Sequence, residues 1–186
     1  EKASNLANLV KTFIEKQSRS KNLTQYNRCM YSLGVFPNKY PQAYANAAKY
    51  GATTANYAKV IDSYNPYIDV KRAVSWINLI IKTKYISEYN HVFHSDFIYR
   101  IKKGSTIDKA LVSYGTLRNM KKDSSLWQED ELYVIITSEN KGYLAVNLKD
   151  KDWLYLNFDK RPSIVENVEN ISFAFNEKQK IDHWNN

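Results

Sequence analysis

The sequence predicts an α+β domain in which N-terminal helices pack on a C-terminal antiparallel β-meander of about four to five strands. Three observations carry this. Leu132, Val134 and Ile136, then Leu144, Val146 and Leu148, then Leu154, Leu156 and Phe158, then Ile171, Phe173 and Phe175 alternate at the period of a strand. The first two links between these runs are short and polar, Glu139-Asn140-Lys141-Gly142 and Lys149-Asp150-Lys151-Asp152, while the third, 159–170, is longer and contains Pro162. The chain before residue 90 reads instead at the three- and four-residue spacing of helices. Strict alternation predicts a sheet with one wet and one dry face, the dry face covered by the earlier helices.

In chain order, residues 3–17 form an amphipathic helix with Leu6, Leu9, Val10, Phe13 and Ile14 on one stripe. A second short helix spans 22–33, with Leu23, Tyr26, Met30 and Leu33 on one side and Gly34 as its stop. Pro41 suits the first turn of a third helix that runs to about Tyr64, with Gly51 as a break. After the stop signal Asn65-Pro66, Asp69 caps a fourth helix from Val70 to about Tyr89, whose apolar face carries Ala73, Val74, Ile77, Ile80, Ile81 and Ile86. Residues 97–101 alternate as a short first strand, and Gly104-Ser105-Thr106 reads as a turn or a helix cap. Residues 107–120 fit a helix and a strand plus loop equally. Gly142 supplies the positive φ of the first hairpin.

At 186 residues the chain forms a single α+β domain, residues 1–90 a helical, basic, tyrosine-rich part and residues 97–176 mainly antiparallel sheet. The net charge of +8 lies entirely in the first half, which also holds ten of the fifteen tyrosines. No apolar run approaches the roughly 20 residues that span a bilayer. The single cysteine, Cys29, excludes an intramolecular disulfide and a cysteine-based zinc cluster. With five glycines and no suitable motif, neither a phosphate loop nor a dinucleotide fingerprint is present. No cofactor and no metal are implied.

Three constellations carry chemistry. Cys29 with His91 or His94 as base, and Asp96 or Asn90 as orienter, supplies the thiol, imidazole and third group of a cysteine hydrolase. A buried cysteine packing as a small hydrophobe is the plainer reading, because Cys29 lies within a helical pattern and not at a helix N-terminus. His91, His94 and Asp96 also have a spacing that metal ligands use, without the glutamate of the helical zinc proteases; two loop histidines are the plainer alternative. Lys71, Arg72, Lys82, Lys84, Lys102 and Lys103, with Lys121-Lys122, form a candidate binding surface for an acidic partner or a nucleic acid. A basic nuclease-type toxin using His91, His94 or His183 belongs to this reading.

The opening helix (Leu6, Leu9, Val10, Phe13) and the closing segment 164–175, followed by Trp184, resemble minor type IV pilins and type II secretion pseudopilins. That resemblance implies a non-enzymatic filament or assembly subunit of a bacterial surface or secretion machine, exported to the periplasm or cell surface. Its partners would be other protein subunits, acidic ones included, and it would meet a membrane only through a segment missing from the N-terminus. The expectation drawn from the sequence is therefore an assembly subunit. A Cys29 hydrolase and a nucleic-acid-binding or nuclease domain are the alternatives.

Overall fold

A computed structural model describes residues 41–49, 66–84, 92–93, 95–119, 131–148, 152–159 and 164–185. The helices expected over 3–17 and 22–33, the far end of the third helix, and Lys121-Lys122 lie outside the described residues. Within them, the α+β class holds, and the order is helices first, sheet last.

Helix α1 (Pro41–Lys49) starts at a proline, whose missing N–H costs nothing in a first turn. It buries Tyr44, Ala45 and Ala48 completely. Helix α2 (Pro66–Ile80) begins four residues before the expected Val70 and ends well before Tyr89, giving way to a two-residue strand β1 (Lys82–Thr83). Residues 97–101 are not a strand. They belong to helix α3 (Ser95–Ile101), which buries Ile98 and leaves Phe97 exposed. The alternation read there is the two sides of a short helix. Strand β2 (Lys103–Gly104) pairs in parallel with β1.

Helix α4 (Thr106–Asn119) settles the ambiguous stretch: it is helical and buried from Thr106 to Leu117. A helix covered on all sides shows no apolar stripe, which is why its period is unreadable. Its interior hydroxyls need no outside partner, since Ser113 Oγ donates to Lys109 O at 2.8 Å and Thr116 Oγ1 to Val112 O at 2.8 Å.

The sheet comprises β3 (Leu132–Thr137), β4 (Gly142–Asn147), β5 (Trp153–Asn157), β6 (Ile164–Val165), β7 (Ile171–Phe175) and β8 (Lys180–Ile181). Its strand order is β6-β5-β4-β3-β7-β8, all antiparallel. A simple meander covers only β3 to β6; β7 then returns across the sheet to the free edge of β3.

One face buries Leu132, Val134, Ile136, Leu144, Val146, Leu156, Phe173 and Phe175 against α1, α2 and α4. The expected wet face is not wet. Tyr133, Ile135, Ala145, Tyr155 and Ala174 form a second apolar cluster beneath Val168, Ile181 and Trp184. Trp184 packs edge-to-face on Trp153 (centroids 4.9 Å apart) and tilted on Tyr133 (5.0 Å), and its indole N–H donates to Tyr155 Oη at 3.0 Å. Ile171 also changes sides. The register shifts between Ile136 and Thr137, pairing Phe173 with the first and Ile171 with the second, so Ser172 is an extra residue. That bulge turns Ile171 away from Phe173 and Phe175 and onto the outer cluster.

The first hairpin uses Asn140, not Gly142, for its left-handed residue (φ 58°). Gly142 is required by packing: a Cβ there would lie 2.6 Å from Ile107 Cα. Its N–H donates to Thr106 Oγ1 at 2.9 Å, docking the start of α4 on the start of β4. Gly115 plays the same part between helices, since a Cβ would come within 2.2 Å of Ala48 O. Gly115→Ala is therefore expected to force α1 and α4 apart, lowering stability by about 3 kcal/mol in urea denaturation, the upper end of overpacking costs.

Candidate functional site

The side chains with the most perturbed chemistry gather at the N-terminus of α4. Ser105 and Asp108 form a capping box: Asp108 N donates to Ser105 Oγ at 3.1 Å, and Asp108 Oδ2 accepts from Ser105 N at 2.9 Å and Ser105 Oγ at 3.0 Å. The other oxygen, Oδ1, accepts from Phe93 N at 3.0 Å. One carboxylate thus clamps the backbone between His91 and His94 to the start of a buried helix. Burial pushes the Asp108 carboxyl up to about 6, against the three donors, which pull it down.

The next residue, Lys109, is 2% exposed. Its Nζ donates to Thr83 Oγ1 at 2.9 Å, and Thr83 Oγ1 donates to Phe158 O at 2.7 Å, tying α4 to β1 and to the end of β5. Burial pushes the Lys109 ammonium down to about 8, with Asp159 pulling the other way. Two adjacent ionisable groups with values drawn toward neutrality are a common feature of functional sites. Nothing in the sequence pattern singles them out, except Ser105-Thr106-Ile107-Asp108 read as a cap with an acidic third position.

At the opposite end of α4, Glu177 accepts from Tyr114 Oη at 2.6 Å and Arg118 Nη2 at 2.6 Å, and pairs with Lys49 Nζ at 3.0 Å. Burial raises its carboxyl, but the bonds from Arg118, Tyr114 and Lys49 outweigh burial and hold it below the ordinary range. This knot joins α1, α4 and the β7–β8 turn, and its bonds are spent within the fold.

A cleft of about 410 Å³ opens beside the first hairpin, lined by residues that include Thr137, Glu139, Lys141, Tyr143, Glu169 and Asn170. Its charged rim is internally paired where Lys141 Nζ meets Glu139 at 3.1 Å.

Cys29, His91 and His94 lie outside the described residues; Asp96 falls in α3, three positions after the clamped Phe93. Asp108 was missed from sequence because it is remote in number from the segment it holds. The candidate metal site takes its two histidines, His91 and His94, from those undescribed positions and its carboxylate, Asp96, from α3. Among the described residues no group of three His, Cys, Asp or Glu is placed to hold a metal. Of the cationic surface, the β1–β2 pairing brings Lys82 and Lys103 opposite each other with Lys84 and Lys102 alongside. Lys71 and Arg72 stay apart from these on α2, where Lys71 Nζ lies 4.3 Å over the Tyr67 ring. His183 is exposed on the segment after β8.

The stability of the fold should carry the signature of Asp108. A carboxyl that binds its proton more tightly when folded stabilises as pH falls through about 6 and costs stability as pH rises. Wild type minus Asp108→Asn, measured by urea denaturation, is expected to favour wild type by roughly 2 kcal/mol more near pH 4 than near pH 7.

No family model matches the chain, and no curated protein matches it in sequence. Solved structures do match in fold. Legionella pneumophila LapG superposes with a TM-score of 0.52 at 14% identity, covering 80% of this chain and 88% of LapG. The EGTA-treated form of the same protein gives 0.51 at 15% identity, covering 80% and 86%. No pilin-like structure matches, which overturns the pilin and pseudopilin resemblance. The closing segment that carried it is also differently built: 164–175 is a two-residue edge strand, a crossing and a bulged strand, not consecutive strands of a meander; the opening helix lies outside the described residues. No helix among the described residues is long and apolar enough to cross a membrane.

Proposed function

We propose that this protein is a cysteine hydrolase in which the Cys29 thiolate attacks a substrate carbonyl and an imidazole from the 91–94 segment serves as base and acid. The observation that carries the reading is the likeness in fold to LapG over most of both chains. LapG is a periplasmic cysteine protease, and this chain's one cysteine precedes its candidate histidines in the order such enzymes use. The clamp on Phe93 supports the reading physically: a catalytic imidazole must be held to within a fraction of an ångström, and a buried carboxylate fixes the backbone of Phe93, the residue before His94 in sequence.

In the proposed chemistry the imidazole takes the Cys29 proton, and the thiolate adds to the carbonyl carbon. The tetrahedral adduct collapses as the imidazolium protonates the leaving amine. Water, deprotonated by the same imidazole, then releases the acid and restores the thiol. Asp108 is a positioning residue in this scheme; both its oxygens are engaged by Phe93 and Ser105. An exported location, as for LapG, accompanies the proposal.

The test is the rate of Cys29 alkylation by a small haloacetamide as a function of pH in the native protein. An activated thiolate reacts with an apparent pKa well below the free value of about 8.5. Replacing the base, by His91→Ala or His94→Ala, is expected to restore that free value for one of the two and leave the other variant like wild type. A thiol that reacts only after unfolding would refute the hydrolase.

A further inference from the structure

The β1–β2 ribbon presents cations in a pattern that the proposed hydrolysis does not use. Lys82 pairs with Lys103, Thr83 with Gly104, and the ladder continues through Lys84 N donating to Gly104 O at 2.8 Å. Residues in register on parallel strands share a face, and alternate residues of a strand do too. Lys82, Lys84 and Lys103 therefore point outward together and are exposed, while Thr83 and Gly104 turn inward, Thr83 onto Phe158 O. Arg100 and Lys102 are exposed at the approach to β2, and Lys102 holds a left-handed φ of 58° there. No ion pair neutralises these five among the described residues. Like charges directly opposite on a ribbon destabilise it, and the Lys109 ammonium lies just beneath, bonded to Thr83. An arrangement that repels itself is relieved by an anionic ligand.

We infer that this ribbon is a docking surface for an acidic, extended polypeptide segment, and, resting on the hydrolase reading, that such a segment marks the substrate. The spacing supports a polypeptide. Carboxylates on alternate residues of an extended chain lie about 7 Å apart on one side, and Lys82 and Lys84, two residues apart on a strand, repeat at the same distance. Single-stranded nucleic acid asks for aromatic platforms and favours planar guanidinium forks; the outward face of the ribbon holds three lysines and no ring. The position supports a substrate. Gly104 runs directly into Ser105, whose partner Asp108 holds the Phe93 backbone, so the ribbon and the histidine-bearing segment are braced by one carboxylate.

The experiment uses the full chain as Cys29→Ala, so that nothing is cleaved, and reads fluorescence anisotropy of two labelled probes: a peptide with glutamate at alternate positions and an oligothymidylate. The peptide is expected to bind more tightly than the oligonucleotide and to weaken as salt rises. It should lose about tenfold or more in affinity in Lys82→Glu/Lys84→Glu/Lys103→Glu. Should that variant unfold by circular dichroism, the neutral Lys82→Gln/Lys84→Gln pair gives the same reading with a smaller loss. Absence of peptide binding, binding indifferent to these substitutions, or tighter binding of the oligonucleotide would each overturn the assignment. The pH profile of Cys29 alkylation is measured separately on the charge-reversed chain with its cysteine intact. A failed hydrolase shows there, and a failed docking surface shows only in the anisotropy.

Discussion

Helix α4 has no wet side, and the other layers are arranged to cover it. It lies against the inner sheet face through Leu111, Tyr114 and Leu117, and against α1 through the bare backbone of Gly115. A helix in that position must satisfy its polar groups within the protein, because each unpaired one would cost a kilocalorie per mole or more. Its hydroxyls turn back on its own carbonyls, its first turn is capped by Ser105, and its last turn carries Arg118 to Glu177. Removing water from α4 forces ionic partners to its two ends, and those ends are where the chemistry collects.

The two ends differ in kind. Around Glu177 the buried carboxylate is fully answered: it meets a guanidinium, an ammonium and a phenol, and the result is a pinned corner of the fold. Such a site contributes specificity of arrangement more than net stability, since desolvation takes back much of the Coulomb gain. Around Asp108 and Lys109 the charges are incompletely compensated. Among the described residues Asp108 has three donors and no cation bonded to it, and the Lys109 ammonium has one hydroxyl. A fold retains such groups at a cost, and the segment that Asp108 holds is the one flanked in sequence by His91 and His94. The candidate hydrolase chemistry and the basic ribbon thus share a single brace.

Much of the sheet was legible because its strands alternate. The inner-face residues of β3, β4 and β5 are those read from the sequence, since period two survives wherever one face meets helices. The outer face is not the wet one that strict alternation predicts, because its alternate positions carry Tyr133, Ile135, Ala145, Tyr155 and Ala174. They form a second core closed by Trp184, a residue remote in sequence from Tyr133 and Trp153. Ile171 was put on the wrong face because one inserted residue, Ser172, reverses parity without leaving a mark in the pattern. Residues 97–101 were mistaken for a strand because five residues are too few to tell a period of two from one of 3.6.

For the site, composition and order supplied one thiol and a histidine pair, which are properties of single residues and need no partner to be noticed. The sequence by itself determined the α+β class, the apolar inner face of the sheet and the cationic character of 82–84 and 102–103, because periodicity and charge are local. Tertiary structure alone decided that Asp108 would grip Phe93, that Lys109 would be buried beneath Thr83, and that Lys82 would stand opposite Lys103. Each of these joins residues many positions apart. Their distances are set by the packing of α4 against the sheet, a sum over many weak contacts that no short window of sequence contains.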